Sequence, residues 1–378
     1  MKLHRGLKRL QAYYQICMKV SIGSKIVEGP WGGGNLFVKN LSNYLLNLGH
    51  EVIYDLSEPD VDLILLTDPR SRRESSSTFN HIEINLYKKY INPNVAVVQR
   101  INECDERKNT NNINSFYLEA SECADRVVFV SDWLKSIYTT LGMEIDKTTV
   151  IMSGSNRKVF KNYNNKLNNN KINIVTHHWS SHKNKGFESY ELLDKLILDS
   201  QWKDNLHFTY IGNASDEYVL KNSTIIEPLS GADLGKKLSE NDIYLTGSIN
   251  EPSGNHHIEA ALCGLPILYL NSGGIPEYCE GYGVSYDNLD ELEDKLKIII
   301  NEKEKYIKKL EDYQFDSENM NMEYLELFES LVLKKKEQSA NVKTFKKNYY
   351  LLRFKFRKLT RNFSQVNLRI RIKKLLKI

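Results

Sequence analysis

Between residues 25 and 160 short apolar runs alternate with stretches whose apolar positions recur at helical spacing. KIVEG predicts a strand, and the loop PWGGG follows it. Phe37, Leu41, Tyr44, Leu45 and Leu48 then share one helix face. Asn35 is placed to cap that helix and Gly49 to end it. EVIYDL, VDLILLT, VAVVQ and DRVVFV predict further strands. Ser131 is expected to cap the helix SDWLKSIYTTLG, Gly142 to close it, and TVIMS to be the last strand of this half.

The polar stretch KNYNNKLNNNK has no period and reads as a linker. A second alternating set follows: INIVT, a helix from Phe187, LHFTYIG, TIIEPL, the helix ADLGKKLSE, DIYLTG, a short helix, PILYL and a helix from Asn288. Repeated strand–helix units imply doubly wound parallel sheets, one per half, facing a cleft. Ligands in such folds bind beyond the carboxyl ends of the strands. The expected organisation is a basic extension over residues 1–24 and Rossmann-like domains over 25–165 and 171–315. A crossing helix over 316–333 and a basic amphipathic tail over 334–378 complete it.

A chain of 378 residues exceeds one ordinary core, and 41% hydrophobic with 26% charged residues is a soluble, globular composition. No apolar run is long enough to span a membrane. The amino-terminal segment is basic but has no apolar core, so no secretory signal is read and a cytoplasmic location is expected. Cys17, Cys104, Cys123, Cys263 and Cys279 are scattered without a CxxC, which favours reduced thiols over disulfides or zinc. The net charge of +4 is uneven. From Leu331 onward sixteen Lys and Arg face one acid, Glu337, so a +15 tail follows a body of −11. The tail interleaves basic residues with Phe, Tyr, Leu and Ile, which suits an anionic membrane surface and a peripheral place at its inner face. An acidic protein is the competing partner, and nucleic acid is the least favoured.

Candidate chemistry concentrates in two loops. PWGGGN lies between a strand and a helix, where Gly33 and Gly34 would let a ligand approach backbone N–H groups. It lacks both the GxGxxG order of a dinucleotide fingerprint and a following GKS or GKT. INEPSGNHHIEAALCGLPILYL places Glu251 before a short helix and Glu259 inside it, with Ser253 or Asn255 as the cap of a helix starting near His256. The amino end of that helix suits a diphosphate, and the acids suit vicinal hydroxyls on either side of it. From spacing alone, a helix-dipole role for Glu259 and a plain loop acid at Glu251 explain the pattern equally well. Arg100 and Asn102 follow an apolar strand and are expected at the cleft edge, whereas Asp105, Glu106, Arg107 and Lys108 read as a solvated loop. The pairs His177–His178 and His256–His257 lack HxH or HxxxH spacing, and no DxD is found, so no metal or cofactor is expected.

EPSGNHHIEAALCGLPILYLNSGGIPEYC resembles the Glu-x7-Glu block of retaining glycosyltransferases of family 4, also called group 1, which have the GT-B fold. DRVVFVSDWLKSIY and VIMSGSNRKVF resemble the end of that family's first domain. HHWSSHKNKGFESY resembles its phosphate-binding Lys-Gly loop, HFTYIGN with Gly212 a following strand and turn, and SGGIPE its Gly-Gly-x-Pro-Glu turn. The similarity spans residues 25–330. It implies Glu259 on the ribose hydroxyls and Glu251 beside the donor sugar. Gly254, Asn255 and His256 would sit at phosphate or sugar, Lys185 would neutralise the diphosphate, and Leu229 would lie near the base. Glu251, Lys185 and Arg100 form the candidate catalytic set. The family usually carries an Arg before that Lys. Here HHWSSHK stands instead, so Lys183, or the hydroxyls of Ser180 and Ser181, would have to replace it.

The resemblance implies transfer of a sugar from a nucleoside diphosphate sugar to a hydroxyl of a glycan or lipid-linked acceptor, with retention, in surface polysaccharide or glycoconjugate synthesis. A nucleotide-sugar 2-epimerase of the same fold, a glycoside hydrolase using the two acids and a non-catalytic sugar-binding or scaffold protein are the alternatives.

Overall fold

A computed structural model of the chain describes residues 17–27, 32–70, 77–214, 217–337 and 344–360. The first half carries β1 (Lys19–Ile22), α1 (Gly33–Asn47), β2 (Glu51–Ile53), β3 (Leu63–Leu66) and α2 (His81–Tyr90). It continues through β4 (Ala96–Ile101), α3 (Asp105–Lys108), α4 (Ile113–Ala120), β5 (Arg126–Phe129), α5 (Asp132–Thr140) and β6 (Thr148–Val150). The second half carries β7 (Ile172–His178), α6 (Phe187–Leu196), β8 (Leu206–Gly212), β9 (Thr224–Ile226) and α7 (Gly231–Ser239). Then come β10 (Ile243–Thr246), α8 (Asn255–Leu262), β11 (Ile267–Leu270), α9 (Ile275–Cys279), β12 (Gly283–Tyr286), α10 (Leu292–Asn301) and α11 (Lys303–Leu310). Two helices close the described chain, α12 (Ser317–Lys336) and α13 (Thr344–Thr360).

The strands form two six-stranded sheets, ordered β2-β1-β3-β4-β5-β6 and β12-β11-β10-β7-β8-β9. Every pairing is parallel. Central strands such as LILL and AVVQRI are buried along their whole length, because helices cover both faces of a parallel sheet. Successive residues feed opposite cores. Leu63 and Leu65 join Phe37, Leu41 and Leu45 of α1 on one face. Ile64 and Leu66 join Tyr87 of α2 and Tyr138 of α5 on the other.

The last helices return to the first sheet. Met320, Tyr324 and Phe328 of α12 enter the core beneath α1. α13 lies on the opposite face, where Phe354 is buried and Tyr350 stacks on Tyr90 with centroids 4.3 Å apart. Lys358 reaches Asp55 at 3.2 Å and Arg357 pairs with Glu83. Burying a side chain of this size contributes about 1.5–3 kcal/mol, enough to hold a helix that charge alone would leave in solvent. The outward side of α13 presents Tyr349, Leu352 and Phe356, all more than half exposed.

Several local expectations change. Residues 25–27 of KIVEG form no strand: the strand is Lys19–Ile22, and Ser24 N–H donating to the Ile22 carbonyl at 2.8 Å turns the chain before Lys25. Glu28 and Gly29 lie outside the described residues, as do residues 1–16 and 361–378. Asn35 does not cap α1, which starts two residues earlier. Its amide instead accepts from Val27 N and donates to Val27 O, both at 2.8 Å, fastening the preceding loop. Ser131 does cap α5, accepting from Leu134 N at 3.2 Å. Among the described residues no helix is long and apolar enough to cross a membrane.

Candidate active site

The short helix α8 begins at Asn255, with Gly254 in an extended N-cap conformation and no side-chain cap. Neither Ser253 nor Asn255 therefore plays that part. A Cβ on Gly254 would lie 2.4 Å from Cε1 of His256 and 2.9 Å from Cε1 of His257, so no side chain fits there. Without a capping oxygen, the amino end offers its N–H groups and its partial positive charge to a ligand. Gly33 meets it from the other domain, since a Cβ there would stand 3.3 Å from the Asn255 amide. Gly34 has open space beside it.

Glu251 lies just ahead of this helix and is 5% exposed. Lys185 donates to its Oε2, and Arg107 Nη2 lies 3.0 Å from its Oε1. Burial pushes the carboxyl up, but Lys185 and Arg107 together overcome it and hold the group at about 2. Lys185 owes its place to a tight loop contact. Gly186 adopts φ +87°, and a Cβ there would lie 2.2 Å from the Gly247 carbonyl carbon. Only glycine lets the two loops press together in this way. Lys183 is exposed in the same turn, as are Trp179, Ser180 and Ser181 at the end of β7.

Glu259, 7% exposed, pairs with His177 Nε2 at 3.0 Å. Three more imidazoles lie beside them. His178 Nε2 meets the Tyr190 hydroxyl at 2.6 Å, and His256 Nε2 meets Thr246 Oγ1 at 3.0 Å. His257 is fully buried with neither ring nitrogen hydrogen-bonded. Burial and then the Lys185 charge lower His178. Burial and then the neighbouring histidines lower His256. Burial takes His257 down to about 3, against the pull of Glu251. Burial thus favours the neutral form of all three rings. Among the described residues no three His, Cys, Asp or Glu side chains gather as a metal-ligand set.

The remaining candidates lie on other elements. Arg100, at the end of β4, is 6% exposed and stacks its guanidinium 4.2 Å over the Phe37 ring. Gly212 ends β8 in the register opposite His178. Leu229 is half-buried against the second core.

Arg107 was expected on a solvated loop, and here the structure differs. It sits on α3 with its guanidinium between Glu251 of the second domain and Glu103 of its own, the latter at 3.1 Å. α3 is stiffened by Asp105, whose carboxylate accepts from the backbone N–H groups of Asn112, Ile113 and Asn114 at 2.9–3.1 Å. It also touches the second domain through its backbone: Asn184 Nδ2 donates to Arg107 O at 2.9 Å and Asn250 Nδ2 to Glu106 O at 3.2 Å. The only sequence signal was its position just past the carboxyl end of β4. Glu277 was likewise unassigned as a single residue. Its carboxylate accepts from Asp132 N and Trp133 N at 2.7 Å each, extending the cap of α5 across the cleft. The Tyr278 hydroxyl next to it donates to Val130 O.

No protein-family model matches this sequence, and no curated protein matches it. Solved structures do. A sucrose-phosphate synthase from Thermosynechococcus elongatus superposes with a TM-score of 0.66 at 13% identity, over 84% of this chain and 100% of that one. Anabaena HepE, in complex with UDP and glucose, gives 0.63 at 16% identity, over 83% and 100%. WaaG, a glycosyltransferase involved in lipopolysaccharide biosynthesis, gives 0.52 at 13% identity, over 84% and 98%. At such identities the likeness is one of architecture: two Rossmann-like domains, each with a six-stranded parallel sheet, as in these structures. The chain has the GT-B fold.

Proposed function

We propose that this chain is a glycosyltransferase that takes a sugar from a nucleoside diphosphate sugar. The observation that carries the reading is Glu251, a buried carboxylate in contact with Lys185 just ahead of the uncapped start of α8, with Glu259 on the same helix. A cation and a helix amino end suit a departing diphosphate. An acid on each side suits the hydroxyls of a sugar and a ribose. HepE is described in complexes with UDP and UDP-glucose, which makes uridine nucleotides the first donors to test. Retention follows from the resemblance to family 4. On that route phosphate departure carries the chemistry, the leaving oxygen helps to deprotonate the acceptor on the same face, and no side chain acts as nucleophile. Positioning and charge stabilisation then supply most of the rate.

Titration of the wild-type protein with UDP-, GDP- and ADP-sugars tests this directly, and binding of none of them, or of a CMP-sugar alone, overturns it. Glu259→Gln is expected to weaken the preferred nucleotide about 10- to 50-fold, the loss of one charge-assisted contact to paired hydroxyls. Donor-only incubation separates the rival readings. Isomerised donor identifies an epimerase, and binding without turnover in the presence of acceptors identifies a binding protein.

A second reading concerns the acceptor. The outward face of α13 carries Tyr349 and Leu352 beside Arg353 and Lys355, and all four side chains are exposed. Apolar side chains flanked by cations suit an anionic leaflet. We propose that this helix docks the first domain on such a surface, where lipid-linked or surface glycans are acceptors. Tyr349→Ser/Leu352→Ser is expected to cut co-sedimentation with phosphatidylglycerol vesicles at least fivefold. Unchanged sedimentation removes the membrane reading and leaves the donor reading intact.

A further inference from the structure

We infer that Arg107 is a second cation of the donor site, delivered across the cleft by the first domain to bind the donor's diphosphate beside Lys185. The inference rests on the glycosyltransferase reading above and deepens it.

Three observations carry it. Arg107 and Lys185 come from different domains yet grip the two oxygens of one carboxylate, Glu251. Two cations that converge on one anion will hold another of suitable size, and a diphosphate is such an anion. From the Lys loop it is Lys185 that contacts Glu251, while Lys183, Ser180 and Ser181 are exposed. Finally, α3 is built as a rigid arm. Asp105 collects three backbone N–H groups of the next helix, while Asn184 and Asn250 seat the arm on the second domain. A solvated loop needs none of these. Glu103 holds the guanidinium from behind at 3.1 Å and fixes its direction. When a donor enters, its phosphate oxygens replace Glu251 on both cations, and Glu251 is released towards the sugar hydroxyls.

The alternative is that Arg107 merely fastens the empty cleft. The two roles have opposite signs. A fastening contact competes with the ligand, so its removal would tighten nucleotide binding. A phosphate-binding Arg loses affinity when it is removed. The test is calorimetric titration of wild type, Arg107→Gln and Arg107→Lys with UDP, or whichever of GDP and ADP the wild type prefers, and with the corresponding nucleoside. Arg107→Gln should bind the diphosphate about 10- to 100-fold more weakly and the nucleoside within twofold of wild type. Arg107→Lys should fall between, because it keeps the charge and loses the fork. If Arg107→Gln does not fold, the Lys variant carries the comparison. Equal or tighter diphosphate binding by either variant overturns this inference alone. Failure of the wild type to bind any nucleoside diphosphate overturns the function and this inference together.

Discussion

Glu251→Ala should abolish nearly all turnover, lowering kcat/KM about 1,000-fold, and should destabilise the ligand-free protein by about 3–5 kcal/mol. The stability loss follows from what is left behind. Lys185 and Arg107 are mostly buried, with side chains 15% and 25% exposed, and they would face each other without the carboxylate between them. Glu251→Gln keeps the shape and one acceptor, so it should recover part of the stability and little of the turnover. Free UDP should bind the alanine variant no more weakly than wild type, since Glu251 competes with phosphate for the same two cations. Urea denaturation and a coupled assay of nucleoside diphosphate release read the two effects separately. An alanine variant with wild-type stability would mean that Glu251 is not the anchor of this site.

Acidification should destabilise the protein before its ordinary carboxylates titrate. His178, His256 and His257 are buried neutral, with burial the main cause in each case. In the unfolded chain they take up protons near their ordinary 6.5. The unfolded state therefore binds more protons below that pH, and stability falls as pH drops through 6.5 and on towards about 3 for His257. Each ring that stays neutral in the fold adds to that loss, so the urea midpoint should be lower at pH 5.5 than at pH 7.5. His257→Phe should shallow that slope, because it removes a buried group that titrates on unfolding, and it should do so without losing a hydrogen bond, since neither ring nitrogen makes one. Urea midpoints at the two pH values decide it. A flat profile would show that the rings are hydrated rather than sealed.

The strand and helix content was legible because parallel strands buried on both faces give unbroken apolar runs, as in LILL and RVVF. β1 was misplaced because KVSI and KIVEG are both short and apolar, and only packing against β2 and β3 decides between them. The tail's period was blurred for a physical reason. Tyr350 and Phe354 of α13 turn inward while Tyr349, Leu352 and Phe356 turn outward, so apolar residues lie on two sides of one helix. The candidate site divides along the same line. Glu251, Glu259 and Lys185 sit in local patterns that can be read along the chain. Arg107 does not, since its partner lies 144 residues away in a loop of the other domain. The bare cap at Gly254 was hidden too, because glycine carries no side chain to announce what it leaves open.

The stiffness of α3 has a further consequence. Asp105 ties the arm to α4, so Arg107 moves bodily with the first sheet rather than swinging on a loop. If the chain takes a nucleotide sugar as proposed, the ammonium group of Lys185 and the guanidinium of Arg107 would reach its phosphates from two separately built sheets. Any shift between those sheets would then alter the grip on the phosphates as a whole rather than one side chain at a time.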